Sequence, residues 1–232
     1  MNIAIIPARG GSKRIPRKNI KEFCGKPMIC YSIDAAKKSG VFDKIIVSTD
    51  DDEIANIAKD CGAEVPFMRP KYLSDDNVAT TPVIIHAIKQ IENLIGSIDN
   101  VCCIYATAPF IHSNDLRKGL DLLIEKNCSF VFTVTTFPYP IQRALKIVEG
   151  NKVEMFDPDC FGKRSQDLEE AYHDAGQFYW GKSKAFVDNI MTFSQKSSPF
   201  ILPRYRVQDI DVIEDWIEAE IKFESMKDKF IF

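Results

Sequence analysis

No apolar run in this chain approaches the ~20 residues that a membrane-spanning helix needs, and only a short apolar stretch precedes the first basic loop. A soluble cytoplasmic protein with no membrane partner is therefore expected. Cysteine is sparse and unpatterned: there are seven, an odd number, none stands as CxxC, and Cys102-Cys103 sit inside an apolar run. Reduced, mostly buried thiols are expected, and no structural zinc site. Neither GxxxxGK[ST] nor GxGxxG occurs, which argues against a P-loop NTPase and a dinucleotide enzyme. Net charge is only −3 and no basic stripe continues past Lys26, so a long nucleic acid is not the expected partner. Internal repeats and low-complexity stretches are absent too.

What is present begins at the N-terminus. An apolar segment, Asn2 to Ile6, runs straight into Pro7-Ala8-Arg9-Gly10-Gly11-Ser12-Lys13-Arg14-Ile15-Pro16-Arg17-Lys18-Asn19. A Gly-Gly pair lets backbone amides approach an anion, and five cations within ten residues offset the charge of a triphosphate. Read as a phosphate cradle, this loop makes Ala8, Arg9, Gly10, Gly11, Ser12 and Asn19 nucleotide-binding candidates. Arg9 and Lys18 are the groups that would neutralise phosphoryl oxygens during a displacement at phosphorus. The alternative is a solvated basic loop.

Buried strands are expected at Asn2–Ile6, Lys44–Ser48, Asn100–Tyr105 and Ser129–Thr135, because each is a continuous apolar stretch bounded by polar residues. Helical spacing of apolar residues marks 28–38, 51–61, 82–95 and 114–125. The alternation predicts an α/β fold with a mainly parallel sheet, helices on both faces and ligands at the carboxyl ends of the strands. One domain spans 1–232. After Thr136 the alternation stops, and a segment at about 137–162 with short strands near 144–148 and 152–156 reads as an arm for dimerisation or the acceptor site. The core resumes with a strand at Gly176–Trp180, a helix from about Lys184, and a closing amphipathic helix over Ile213–Met226.

Three further constellations carry chemistry. In Gln208-Asp209-Ile210-Asp211, carboxylates at i and i+2 on extended backbone point to one side and can share a hard cation, for which Mg²⁺ is the natural guest. Asp211 as the cap of the following helix is the alternative. Arg69-Pro70 and the loop Leu73 to Pro82 lead a polar segment into a helix N-terminus, where Thr80 and Thr81 can reach base or ribose, or simply serve the turn. Between Lys163 and Trp180, basic and aromatic groups surround a core strand in the manner of an acceptor pocket, although aromatics there also serve as core packing. His86 and His112 read as structural.

Taken in order, PARGGSKRIPRKNIK, GKPMICYSI, IIVSTDDDEIA, RP followed by LSDD, RSQD and DIDVIEDW resemble the cytidylyltransferases that activate nonulosonic acids with CTP. The resemblance runs from Asn2 to about Trp216. Within that family the run Tyr172 to Gly181 is similar to the pseudaminic acid branch, where sialic acid enzymes have an Asn-Gly-Ala core. The resemblance implies a Rossmann-like nucleotidyltransferase fold, and reaction of CTP with a nine-carbon sugar acid to give a CMP-sugar and pyrophosphate. It implicates Arg9, Lys18, Asn19, Arg69 and Thr80 on the nucleotide side, and Asp209 and Asp211 at Mg²⁺. Tyr105, Gln142, Arg164, Gln177 and Tyr179 are the acceptor-binding candidates, and a homodimer is expected.

Overall fold

The structure, a computed structural model, describes residues 1–226. The first half contains β1 (Asn2–Pro7), the two-residue strands β2 (Glu22–Phe23) and β3 (Lys26–Pro27), α1 (Met28–Ser39), β4 (Lys44–Ser48), α2 (Asp52–Asp60), α3 (Thr80–Ile95), β5 (Asn100–Ile104) and α4 (Ser113–Lys126). The second half contains β6 (Phe130–Thr136), β7 (Leu145–Val148), β8 (Lys152–Met155), β9 (Tyr172–Lys182), α5 (Ser183–Val187), β10 (Ser197–Ile201) and α6 (Ile213–Met226).

Six strands form the central sheet in the order β10-β6-β9-β5-β1-β4. All neighbours are parallel except β9, which runs antiparallel to both β5 and β6. β1 shows why its sequence is continuously apolar. Ile3 and Ile5 pack on one face against Ile84, Ile88 and Ile91 of α3, while Ala4 and Ile6 pack on the other against Ile29 and Ile33 of α1 and Leu116 of α4. A strand covered on both faces has no polar side to show. A third cluster joins Phe23 and Tyr31 to Trp216 and Phe223 of α6 through edge-to-face rings, and it also buries Ile210. That anchorage fixes the segment carrying Asp209 and Asp211.

Several expectations are corrected. The strand at 176–180 is an eleven-residue strand, and its direction is opposite to its neighbours. The helix after Lys184 is only five residues long, and the edge strand β10 was not anticipated. Cys30 and Cys61 form a disulfide between α1 and the C-terminal end of α2, so the expected all-reduced set of cysteines does not hold. Cys102 and Cys103 are buried thiols as expected, with burial pushing both above the ordinary thiol range. The arm is an antiparallel ribbon, β7 paired with β8, separate from the central sheet. No helix among the described residues is long and apolar enough to cross a membrane.

Candidate active site

The loops leaving β1 at Pro7 and β5 at Ile104 meet the start of α3 and enclose a cavity of about 550 Å³. Its walls carry the cations Arg9, Lys13, Arg14, Lys18 and Arg69 against the carboxylates Asp75, Asp76 and Asp211. The protein as a whole is negative, so this positive excess is local and suits an enclosed anion.

Arg69 makes the point most strongly. It is 5% exposed, donates from Nε to Ser48 Oγ at 3.2 Å and from Nη2 to the Ser48 carbonyl, and makes no ion pair among the described residues. Burial pushes its guanidinium down to about 10, only partly offset by Asp50. A buried cation with its charge only partly offset is costly, and an anion in the cavity relieves that cost.

The other loop cations are held in place by carboxylates. Arg9 and Lys13 both pair with Asp76, drawing the loop before α3 toward the cavity. Arg17 is not on the wall. In left-handed backbone (φ +57°), it binds Asp51 with Nη2 2.8 Å from Oδ1, pairs also with Glu53, and holds the Asp51 carboxyl down to about 2. Gly10 is needed for a related reason: a Cβ there would stand 2.7 Å from Asp51 Oδ2. Its amide donates to Asp50 Oδ1 at 3.0 Å, and Ala8 is fully buried with its amide bonded to the Ser48 carbonyl. Ala8 and Gly10 therefore shape the loop, and Ala8, Gly10 and Gly11 are not on the cavity wall, whereas Arg9, Ser12, Lys18, Asn19, Arg69 and Thr80 are. Asn19 fixes the loop by donating from Nδ2 to the Arg9 carbonyl at 2.9 Å.

Lys18 reaches across to the far end of the chain. Its Nζ donates to the Ile210 carbonyl and lies 3.4 Å from Asp211 Oδ1, while Arg14 Nη2 is 2.8 Å from the same oxygen. Asp211 lines the cavity and Asp209 does not. Helix capping does not account for Asp211: Asp215 Oδ2 accepts the amides of both Asp211 and Val212 at 2.8 Å. The first turn of α3 also faces the cavity. Its N-cap, Ala79, contributes no side-chain hydrogen bond, which leaves the positive end of the helix without a local carboxylate or hydroxyl cap.

A second cavity of about 360 Å³ adjoins the first, and Thr80 and Tyr105 line both. Tyr105 and Tyr179 stand with ring centroids 5.3 Å apart, and the Tyr179 hydroxyl donates to Asp174. Of the acceptor candidates, Tyr105 and Tyr179 line this cavity. The structure does not bring Gln142, Arg164 or Gln177 to either cavity. Gln142 Nε2 donates to the Glu169 carbonyl at 2.9 Å, and Arg164 pairs with Asp167 at 2.7 Å on the segment that follows the arm. Gln177 is 3% exposed and donates to the Arg206 carbonyl at 2.6 Å. The register between β6 and β9 shifts between Phe132 and Val134, and Gly176 takes φ +61°, so simple alternation along β9 fails there. Asp76, Asp174, Met191 and Phe193 were missed because they lie on irregular segments or at a strand end, where no periodic signal exists.

The sequence matches the Cytidylyltransferase family over residues 3–201. The chain belongs to the cytidylyltransferase family. It is similar to the pseudaminic acid cytidylyltransferase of Campylobacter jejuni subsp. jejuni serotype O:2, at 49% identity over 222 residues and 96% of each chain. It is also 37% identical over 209 residues to a Helicobacter pylori protein named pseudaminic acid cytidylyltransferase and UDP-2,4-diacetamido-2,4,6-trideoxy-beta-L-altropyranose hydrolase, covering 90% of this chain and 40% of that one. Among solved structures, a CMP:2-keto-3-deoxy-manno-octonic acid synthetase complexed with CTP matches with TM-score 0.72 at 14% identity, over 97% of this chain and 98% of that one. That likeness bears on the fold, which is the expected Rossmann-like nucleotidyltransferase architecture.

In this cytidylyltransferase, Asp209 and Asp211 are the residues that could hold a metal. Ile210 is 1% exposed and points into the core, so alternation turns the flanking carboxylates the other way. Desolvation and then the charge of Asp211 raise the Asp209 carboxyl above its ordinary range. Among the described residues no cluster of three or more His, Cys, Asp or Glu could hold an ion. Two hard oxygen donors fit Mg²⁺ when phosphate oxygens and water complete the shell.

Proposed function

We propose that this cytidylyltransferase transfers CMP from CTP to the anomeric hydroxyl of a nonulosonic acid, pseudaminic acid, with release of pyrophosphate. The observation that carries the reading is the buried, unpaired Arg69 in a cation-lined cavity that opens, through Thr80 and Tyr105, onto a second cavity of different chemistry. The similarity to the Campylobacter pseudaminic acid cytidylyltransferase supports the choice of acceptor.

Arg9, Lys13, Lys18 and Arg69 neutralise the triphosphate, and the acceptor hydroxyl attacks the α-phosphorus in line with the departing pyrophosphate. No covalent intermediate is required. Positioning and electrostatic stabilisation supply most of the rate in such transfers. Asp211, on the cavity wall beside Lys18, is placed to accept the hydroxyl proton directly or through one water. Mg²⁺ held by Asp209 and Asp211 would supply charge neutralisation at the phosphate oxygens. A cytoplasmic location forms part of the reading.

Incubation of the purified protein with CTP and, separately, pseudaminic, legionaminic and sialic acids tests the reading, with the CMP-sugar identified by mass spectrometry. Pseudaminic acid is expected to give product far faster than the others. Product from none of them, or a preference for sialic acid, overturns it.

A homodimer built on the arm forms part of the proposal. On and beside the β7–β8 ribbon, Ile147 (77% exposed), Val153, Phe156 and Phe161 (84% exposed) lie open in a single chain. Ile147 and Val153 stand opposite each other across the ribbon, and exposed apolar groups on such an arm support its assignment as an interface. Sedimentation equilibrium is expected to give twice the chain mass, and Ile147→Asp combined with Phe156→Asp is expected to give a folded monomer. A monomeric parent protein contradicts the assignment.

A further inference from the structure

The second cavity carries a single formal charge. Ile84, Phe186, Met191 and Phe193 give it apolar walls, and among the described residues no lysine or arginine lines it and Asp174 is its one carboxylate. That carboxylate is held in a fixed orientation. Its Oδ1 accepts the Gly176 amide at 2.9 Å, and its Oδ2 accepts the Tyr179 hydroxyl. The Tyr179 ring lies beside that of Tyr105, and Tyr105 and Thr80 form the rim shared with the cation-lined cavity. A wall of side chains thus runs from the carboxylate to the place where the nucleotide side begins.

An ionised carboxylate offers about four lone-pair sites and accepts only. With two sites used by Gly176 and Tyr179, Asp174 retains capacity for a donor on a ligand. Asp174 is exposed to the cavity, and its charge repels a second carboxylate brought against it, most strongly once the ligand has displaced the water between them. The acceptor proposed above is itself an acid, and among the described residues the other cavity is lined by cations while this one is not.

We propose that Asp174 is a specificity-determining residue of the acceptor site: it takes a hydrogen bond from an N–H or O–H donor of the sugar acid and repels that molecule's own carboxylate, turning it toward the cation-lined cavity. This rests on the reading that the second cavity receives the sugar acid. It gives the cavity a polarity, donor-bearing end at Asp174 and acidic end at the phosphate side. A polar lining that is left unpaired by the wrong ligand discriminates more strongly than an apolar wall does.

The test uses the full-length protein and its Asp174→Ala and Asp174→Asn variants, with pseudaminic acid and CTP each varied in steady-state assays of pyrophosphate release. Asp174→Ala is expected to lower kcat/KM for pseudaminic acid by about 10- to 100-fold, the scale of one hydrogen bond to a charged group, with KM for CTP essentially unchanged. Asp174→Asn keeps a carbonyl acceptor and is expected to lose less, a rescue that a purely structural role for the side chain does not predict. If Asp174→Ala fails to fold, Asp174→Asn alone carries the test through the same split between the two substrates. Unchanged acceptor kinetics in both variants, or equal losses for CTP and acceptor, overturn the assignment. Parent enzyme that is inert toward pseudaminic acid overturns the underlying reading instead, so the two failures are distinguishable.

Discussion

Replacement of Lys18 by alanine is expected to lower kcat/KM by about 30- to 150-fold, equivalent to ~2 to 3 kcal/mol, the scale of removing one preorganised electrostatic group from a transition state. Lys18 is on the cavity wall, its side chain is only 18% exposed, and its ammonium is aimed by the Ile210 carbonyl on one side and Asp211 on the other. A cation fixed in this way stabilises developing phosphate charge without reorganising during the reaction. The fold is expected to survive, because the Ile210 contact is one hydrogen bond worth roughly 1 kcal/mol and Ile210 remains packed among Trp216 and Phe223. Pyrophosphate release and a thermal melt of the same preparation check both halves. Unchanged turnover would remove Lys18 from the mechanism.

The second large effect is expected at Asp211. Asp211→Asn should reduce the Mg²⁺-dependent rate by about 100-fold or more, on the order of a lost charge contact to the metal and phosphate oxygens, and chelation should abolish the rate altogether. Thermal stability should change little. Asp215 supplies the hydrogen bonds at the start of α6, so no cap is lost, and the partly exposed ion pair with Arg14 is worth no more than ~1 kcal/mol. Activity titrated against Mg²⁺ for parent and variant, beside their melting curves, separates metal binding from folding. A variant with full Mg²⁺-dependent rate would leave Asp211 without a role at the metal.

Much of the fold is legible because burial leaves a mark on composition. β1, β4, β5 and β6 are apolar on both faces, and the helices between them show their packed stripe, so their existence and near boundaries can be read from the chain. Direction leaves no such mark. Nothing in Tyr172 to Lys182 says that β9 runs antiparallel to its neighbours, since an apolar run reports what covers a strand and not which way it points. β10, with Ser197, Ser198 and Pro199, has too little apolar character to stand out at a sheet edge. The Cys30–Cys61 pairing joins residues 31 apart through the packing of α1 beside α2, which no local pattern contains.

The candidate site divides in the same way. Arg9, Lys18 and Asn19 are readable because the loop concentrates charge beside a strand end. Asp76 lies on the loop before α3 and Asp174 near the start of β9, and their relation to Arg9 and Tyr179 exists only after folding. Gln177 shows the opposite error. It looks like a polar reader on a pocket strand, yet the register shift beside it turns its amide to the Arg206 carbonyl.

The partition between the two cavities also bears on descent. The cation-lined cavity is built from the loops at 7–19, 69–80 and 105–107 together with Asp211, the other chiefly from β9, α3 and the stretch 186–193, and only Thr80 and Tyr105 serve both. Substitutions accumulating along 174–193 can therefore alter the sugar acid accepted while the nucleotide loop is inherited intact. A lineage of such proteins can diversify in acceptor and stay uniform in donor, with Thr80 and Tyr105 as the two positions where a change on one side must be tolerated by the other.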